Sequence, residues 1–585
     1  MTLRARPSPA APCLALIAVL LGTMLVACTH QPALPRASDT ADSFIGALEH
    51  RDGAAMISSF AHGSRLRSKP ARVERLIHQV LRGGDIKRFK IERTGPVPQP
   101  PDDEIRQSKT PAVAHAPYRI TYWSDAVPAP VVLRGQLPLL FQGGRWGVRW
   151  NKGILLPGIR GAAAFHVSYR WPKRAAILDR HGNPLAVGPA SSRRYPFHTV
   201  GGASVGHLAP LSAAEVGGSA AGHRPGDLVG ASGLEQALED RLAGTPADRL
   251  QILGHHHHVL RTLGRVAAHR GHDVKTTLDV NVQRAAEAGD GSATGGAVVM
   301  DPRTGDILAI VSSSPFDPTN YLGVPGIQPF NRALSGLYPP GSSMKVVTAS
   351  AALDTGTVTA STRLSGPKEF RGVRNFESES FRSLSFAQAL EFSVNTAFAQ
   401  VALKLGARKL HRYANLFGFN KVPSLPLATA RSSFPFPRDE SDLMWGAVGQ
   451  AQDLATPLEM ATVAATIADH GKRMEPRITL KAPTRGTRVV SRATAATMTQ
   501  LMELVVQGGT GTAAAIPGIA VAGKTGTAEV DVNGVRKNHA WFVCFAPAAN
   551  PKVAVSVVVE YGGVGGVVAA PLARSILERV LPLVP

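Results

Sequence analysis

The sequence predicts a multidomain α+β protein. A small N-terminal α+β domain leads through an extended, loop-rich middle to a large C-terminal domain, whose antiparallel sheet carries helices on both faces. Three observations predict this. A chain of 585 residues has room for two to four domains. Helical periodicity gives way to strand-like runs within the first 157 residues. From residue 276 onward the chain opens with a hairpin, passes through a mostly helical middle and returns to three apolar strands.

The elements follow in order. Arg4 and Arg6 precede the apolar run CLALIAVLLGTMLVAC, which is too short and too one-sided for a transmembrane helix and reads as an export signal over residues 1–27. Residues 28–39 form a Pro-containing tether. In the 40–157 domain, TADSFIGALEHRD and SKPARVERLIHQVLRGG are helical, with Thr40 and Ser68 as N-caps. RFKIERTGPV, PYRITYW, PVVLRGQLPLLFQ and GRWGVRWN are strands, the last two joined at Gly143-Gly144. Residues 158–275 are rich in Gly, Ala and His and weakly periodic. Their HHHH run at 255–258, read as strand, sends successive rings to opposite faces with no acidic or Cys partner nearby, so no metal site is expected. In the 276–585 domain, GGAVVMDPRTGDILAIVSSS is a hairpin, helices run from Tyr338 to about Val506, and IAVAGKTGTAEVDV, NHAWFVCFAP and KVAVSVVVEY are strands before a closing helix.

The net charge of +22 and pI of about 10.3 raise nucleic-acid binding, but no motif or basic–aromatic patch accompanies the charge. Contact with anionic lipid and polyanionic polymers fits the charge equally, as does codon bias in an Ala-, Gly- and Pro-rich chain. Of three cysteines, Cys13 lies in the signal and Cys28 at its end, leaving Cys544 in the folded part and no Cys-based metal site. The stretch Leu25-Val26-Ala27-Cys28 resembles the bacterial lipobox, which implies a lipid on Cys28; an ordinary signal peptide or membrane anchor is the alternative.

Three short motifs carry chemistry. In YPPGSSMKVV the prolines and glycine set a helix start near Ser342 and place Lys345 on the same face a turn later. A serine needs a base to become a nucleophile, and a lysine serves when desolvation or a nearby positive charge lowers its pKa. Met344, Val346 and Val347 supply an apolar surround. FSVNTAF places Ser393 and Asn395 before a helix that ends at Gly406. AGKTGTAE puts Lys524, Thr525, Gly526 and Thr527 on a strand, where the lysine and hydroxyls suit a carboxylate and the glycine suits close approach of another backbone. It is no phosphate loop, because the Gly-x-x-x-x-Gly-Lys spacing is missing.

The three in this order occur together in serine β-lactamases and penicillin-binding proteins. The chain resembles a class B penicillin-binding protein, a peptidoglycan D,D-transpeptidase, from Arg174 onward. KRAAILDRHGNPLA and GDLVGASGLEQALEDRLAG are similar to the family's pedestal or dimerisation region, and TTLDVNVQRAAE to the entry into its transpeptidase domain. GAVVMDPRTGDILAIVSSSPFDPTNY, TPLEMATVAATIADHG, GGTGTAA and HAWFVCFAP are each similar to family segments. The first domain, ending in GRWGVRWNKGILLPG, is more loosely similar to the nuclear-transport-factor-like, cone-shaped module of resistance-type, low-affinity members.

The resemblance implies a serine-transpeptidase/β-lactamase-like fold, with a five-stranded sheet, for the last domain. Ser342 would attack the carbonyl between the last two D-alanines of a stem peptide, and Lys345 would take its proton. Ser393 would relay a proton to the leaving D-alanine while Asn395 holds the donor peptide's amide. Lys524 and Thr525 would order the site and bind the terminal carboxylate, helped by Thr527, and the N–H groups of Ser342 and Thr527 would form an oxyanion hole. The implied partners are peptidoglycan stem peptides, β-lactams as covalent inhibitors, the membrane through a lipid anchor, and a separate glycosyltransferase, since the segment before the pedestal holds none. No cofactor, metal or nucleic acid is implied.

The departures are Met344 for the usual Phe, GQAQ at 449–452 for Gly-Gln-Gly, and Cys544 for a small glycine, read as core packing. His539 matches a structural position. A D,D-carboxypeptidase, a β-lactam-hydrolysing relative and a non-catalytic cell-wall scaffold stay open as alternatives.

Overall fold

The computed structural model describes residues 31–215, 222–291 and 293–585, so the export signal and Cys28 lie outside the described residues. The chain divides into two compact units. The first runs to Ser168 and takes in Arg249–Arg265; the second comprises Tyr169–Asp248 and Val266–Pro585.

The first unit opens with α1 (Ala37–Glu49), whose N-cap is Arg36; Thr40, expected as the cap, lies inside the helix. In α2 (Pro70–Arg82) the cap is Lys69 and not Ser68. Proline's fixed φ and missing N–H suit the first helical position, so Pro70 sets the start one residue later than the serine suggests. Then β1 (Ile86–Arg93), β2 (Ala112–Ser124), β3 (Val131–Gln142) and β4 (Arg145–Val148) form an antiparallel meander in chain order. Gly143 and Gly144 both have positive φ, 63° and 77°, as a two-residue turn between β3 and β4 requires. Phe44, Phe60 and Trp146 fill the space under the sheet, and Tyr118 and Tyr122 donate from the core to the carbonyls of Ile154 and Leu155. His255–His258 form the exposed turn of a hairpin within Ala247–Val266, not a strand.

In the second unit, a buried ion cluster holds the stretch before the catalytic-type domain. Arg174 donates to Glu235 and Glu239 at 2.8 and 2.9 Å, and Arg193 donates to Glu235 at 2.6 Å. Each charge is paired and hydrogen-bonded, which is what makes its burial tolerable. Next come α3 (Val280–Asp290) and the five strands of one antiparallel sheet: β5 (Gly295–Met300), β6 (Ile307–Ser312), β7 (Ala522–Val532), β8 (Val535–Ala546) and β9 (Val553–Val559). Their order across the sheet is β6-β5-β9-β8-β7.

Every residue of β5 and β9 is buried. Alternate residues feed two cores. Val298, Met300, Trp541, Val543 and Val558 pack into one, and Ala297, Val299, Phe542, Cys544 and Val557 into the other. The second core is closed by the helix Ala569–Val580. In the first, the helix Pro457–Ala468 is buried at all twelve positions, the pattern of a helix enclosed on every side. The region between Tyr338 and Val506 is less helical than expected, since Arg363–Gly366 and Phe381–Ser385 pair as short strands. Cys544 has no exposed surface and no disulfide.

Candidate active site

Ser342 belongs to a 3-10 turn, Gly341–Met344, that runs directly into α4 (Lys345–Asp354). A uniform α-helix was expected. The tighter turn makes side chains at i and i+3 eclipse, which aligns Ser342 with Lys345 along the turn. The turn is wedged against the edge strand β7 by glycines. Gly341 has φ 52° and its N–H donates to the Gly449 carbonyl at 2.9 Å. A Cβ on Gly526 would lie 2.5 Å from Ser343 Oγ, and one on Gly449 would lie 2.1 Å from the Gly341 carbonyl oxygen. The Trp541 indole fixes the other side by donating to the Pro339 carbonyl at 3.0 Å.

Lys345 is fully buried, and its amine lies 5.3 Å from the centre of the Phe398 ring. Its Nζ contacts the Ser393 carbonyl and Asn395 Oδ1, both at 2.6 Å, and Ser393 Oγ at 3.1 Å. Burial, and then the charge of Lys524, push its pKa well below the usual lysine value. A neutral amine has two N–H donors and one lone pair. The three oxygens around Nζ are two carbonyl-type acceptors and one hydroxyl, so the amine has a hydrogen-bond partner on each of them.

Ser393 and Asn395 reach this position through a strained turn. Ser393 has φ 58°, left-handed for a residue with a side chain, at a cost of about 1–3 kcal/mol. The turn points both its carbonyl and its hydroxyl at Lys345 and starts the helix α5 (Asn395–Leu405). The Asn395 amide is held at both ends, its Nδ2 donating to the Arg374 carbonyl at 2.8 Å. From the opposite wall, Lys524 Nζ donates to Ser393 Oγ at 2.9 Å and to the Thr525 carbonyl at 3.0 Å. Burial brings Lys524 down to about 7. The Ser393 hydroxyl therefore sits between two buried amines.

Ser342 is half-buried and lines an open cleft of about 390 Å³ together with Ser393, Asn395, Thr525 and Thr527. Among the described residues, no hydrogen bond joins Ser342 Oγ to Lys345. Gly526 packs beneath the turn, and Thr527 Oγ1 accepts from the Gly565 N–H at 3.2 Å. All of the expected residues of the three motifs thus meet in one place; Cys28 lies outside the described residues. His539 is turned away, its Nδ1 accepting from the Tyr561 N–H at 3.2 Å.

Two cleft residues escaped the sequence reading. Thr510 shares a hydrogen bond of 2.7 Å with Thr525, hydroxyl to hydroxyl, and Gln450 donates to the Thr527 carbonyl at 3.2 Å. Both stand in segments singled out for other reasons, GGTGTAA and GQAQ, but neither pattern says which side chain points where.

A cleft-lining serine one turn from a desolvated amine is equipment for acyl transfer through a serine ester. Residues 295–578 match the penicillin-binding protein transpeptidase domain and residues 186–276 the penicillin-binding protein dimerisation domain. Peptidoglycan D,D-transpeptidase PbpA of Mycolicibacterium smegmatis is 36% identical over 360 residues, covering 53% of this chain and 73% of that protein. MrdA of Salmonella typhimurium is 26% identical over 469 residues, covering 70% and 75%. Among solved structures, the D,D-transpeptidase domain of a peptidoglycan glycosyltransferase from Eggerthella lenta superposes with a TM-score of 0.58 at 32% identity, over 70% of this chain and 98% of that one. A ceftriaxone acyl-enzyme complex of penicillin-binding protein A from M. tuberculosis gives 0.57 at 29% identity, over 70% and 98%. The chain belongs to the class B penicillin-binding proteins, with a dimerisation domain and a transpeptidase domain.

Proposed function

We propose that the protein is an acyl-serine D,D-transpeptidase that cross-links peptidoglycan stem peptides ending in D-Ala-D-Ala, and that β-lactams acylate the same serine. The carrying observation is the Ser393 hydroxyl held between two buried amines beside the cleft-facing Ser342. Ser342 attacks the penultimate D-alanine carbonyl, and its proton passes to Lys345. Ser393 relays a proton to the nitrogen of the leaving D-alanine. Asn395 positions the donor amide, and Lys524, Thr525 and Thr527 receive the terminal carboxylate. The N–H groups of Ser342 and Thr527 hold the oxyanion; a donor of this kind is worth about 2.7–4 kcal/mol elsewhere. An amine on a neighbouring strand then takes the acyl group.

We further read the 40–157 domain as nuclear-transport-factor-like, of the resistance-type, low-affinity group. Its helices packed on a four-stranded meander support this. Residues 158–275 serve as the pedestal and 276–585 as the catalytic domain. A lipid on Cys28 would attach the exported protein to the outer face of the cytoplasmic membrane, where a glycosyltransferase supplies glycan strands. No helix among the described residues is long and apolar enough to cross a membrane.

Product analysis tests the reading. With a stem-peptide donor and an acceptor amine, the cross-linked dimer should exceed the hydrolysed donor. Hydrolysis alone would make the protein a D,D-carboxypeptidase, and no turnover with stable folding would make it a scaffold.

Two further outcomes follow from the geometry. The base must be neutral to accept a proton, so the acylation rate should rise with pH as Lys345 deprotonates and then level off. Lys524→Met removes the neighbouring charge that depresses Lys345, so the rising limb of a stopped-flow pH profile should move to higher pH. Thr510→Val removes one hydrogen bond to Thr525, worth about 0.5–1.5 kcal/mol. Acylation should slow by about 2- to 10-fold, with little change in melting temperature.

A further inference from the structure

A second cavity in the same unit, about 290 Å³, shares no lining residue with the catalytic cleft. Ile310, Val311 and Phe316 wall it, and two carboxylates from α3, Glu287 and Asp290, reach it from one helix face at a spacing of three. The two acids are treated differently. Glu287 Oε1 accepts from the Gly201 N–H at 2.9 Å and from Gln283 Nε2 at 2.8 Å. Asp290 is 3% exposed, and among the described residues its Oδ1 has no hydrogen-bond partner.

Everything local opposes a charge on Asp290. It is buried, Glu287 repels it, and it is the last residue of a helix, where the backbone dipole presents its negative end. Burial and then Glu287 push it up to about 7. The surrounding charged groups do not compensate. Arg284 leans over the Phe197 ring, His198 pairs with Asp317 at 3.1 Å, and Arg332 pairs with Glu560 at 2.9 Å. A buried carboxyl without a donor is left unsatisfied, so a guest that brings a donor and a positive charge supplies what the protein leaves unmade. The apolar walls select a guest with an aliphatic stem. A bare divalent cation fits poorly, since it needs six to eight oxygens and no group of three metal-binding side chains gathers among the described residues.

We infer that this cavity binds a primary alkylammonium group, with Asp290 as its counter-ion and Glu287 as a second acceptor. The group is carried either by a free diamine or by the side chain of a basic diamino acid within a peptide. Titration calorimetry on the full chain at pH 8 tests this with n-butylammonium, cadaverine, Nα-acetyl-lysine N-methylamide and, as a neutral isostere, n-butanol. At least one amine should bind saturably at one per chain, while butanol should not compete. Asp290→Asn should weaken binding at least tenfold and Glu287→Gln by less. Penicillin labelling at the distant cleft should stay at the wild-type rate in both, showing that the variants are folded. Binding by cadaverine but not the lysine amide assigns a free amine, and the reverse assigns a peptide side chain. Equal affinity in Asp290→Asn, competition by butanol, or no saturable binding of any amine would overturn the inference.

Discussion

Ser342→Ala should abolish covalent labelling by a fluorescent penicillin, with the acylation rate constant falling by about 10⁴- to 10⁶-fold. Removing the base can cost as much as removing the nucleophile, but only the Ser342 variant lacks the atom that forms the ester. The buried hydrogen bonds of the site run through Lys345, Ser393, Asn395 and Lys524, so deleting the Ser342 hydroxyl leaves them standing. The melting curve should stay close to wild type, which separates lost chemistry from lost folding. A gel time course is sufficient measurement. Equal labelling of both proteins would place the nucleophile elsewhere, and Ser343 and Ser393 would be the next serines to replace.

Gly449→Ala should slow acylation by about 10²-fold without touching a reacting group. An added methyl would sit 2.1 Å from the Gly341 carbonyl oxygen, a backbone atom that cannot swing away, so the turn carrying Ser342 must shift. A displacement of about 1 Å in a reacting group costs about 10²-fold in rate. Gly449 also has φ 75°, where a Cβ costs roughly 1–2 kcal/mol of stability by itself. Gly518→Ala separates the two effects, because Gly518 has φ 77° and nothing within 4 Å of its would-be Cβ. It should lose similar stability yet acylate within about twofold of wild type. Equal acylation losses in both variants would mean that backbone strain, and not the displaced turn, is responsible.

The sheet was readable because β5 and, but for Ser556, β9 are apolar and buried on both faces, while Asn533-Gly534 announces the β7–β8 turn. The motif residues were readable because their types and order are distinctive. What escaped depends on distance in space. Thr510 meets Thr525 and Gln450 meets Thr527 only after folding, and a threonine or glutamine in a loop carries no local mark of its partner. Local misreadings have local causes. Thr40 and Ser68 are good capping residues by type, but α1 starts earlier and Pro70 overrides the serine. The left-handed Ser393 and the 3-10 turn at Ser342 follow from tertiary contacts that residue propensities do not encode.

Cys544 has a practical consequence. Its thiol lies on β8, an interior strand of the sheet, without exposed surface, and burial pushes its pKa up, so neither thiolate nor access exists while the sheet is closed. Alkylation there would count openings of the catalytic domain, one molecule at a time, without any introduced probe. Being the single cysteine among the described residues, it turns mass spectrometry after a timed iodoacetamide pulse into a stability assay. A β-lactam ester on Ser342 that tightens the domain should then be legible as a slower gain of one carbamidomethyl mass on the peptide that carries Cys544.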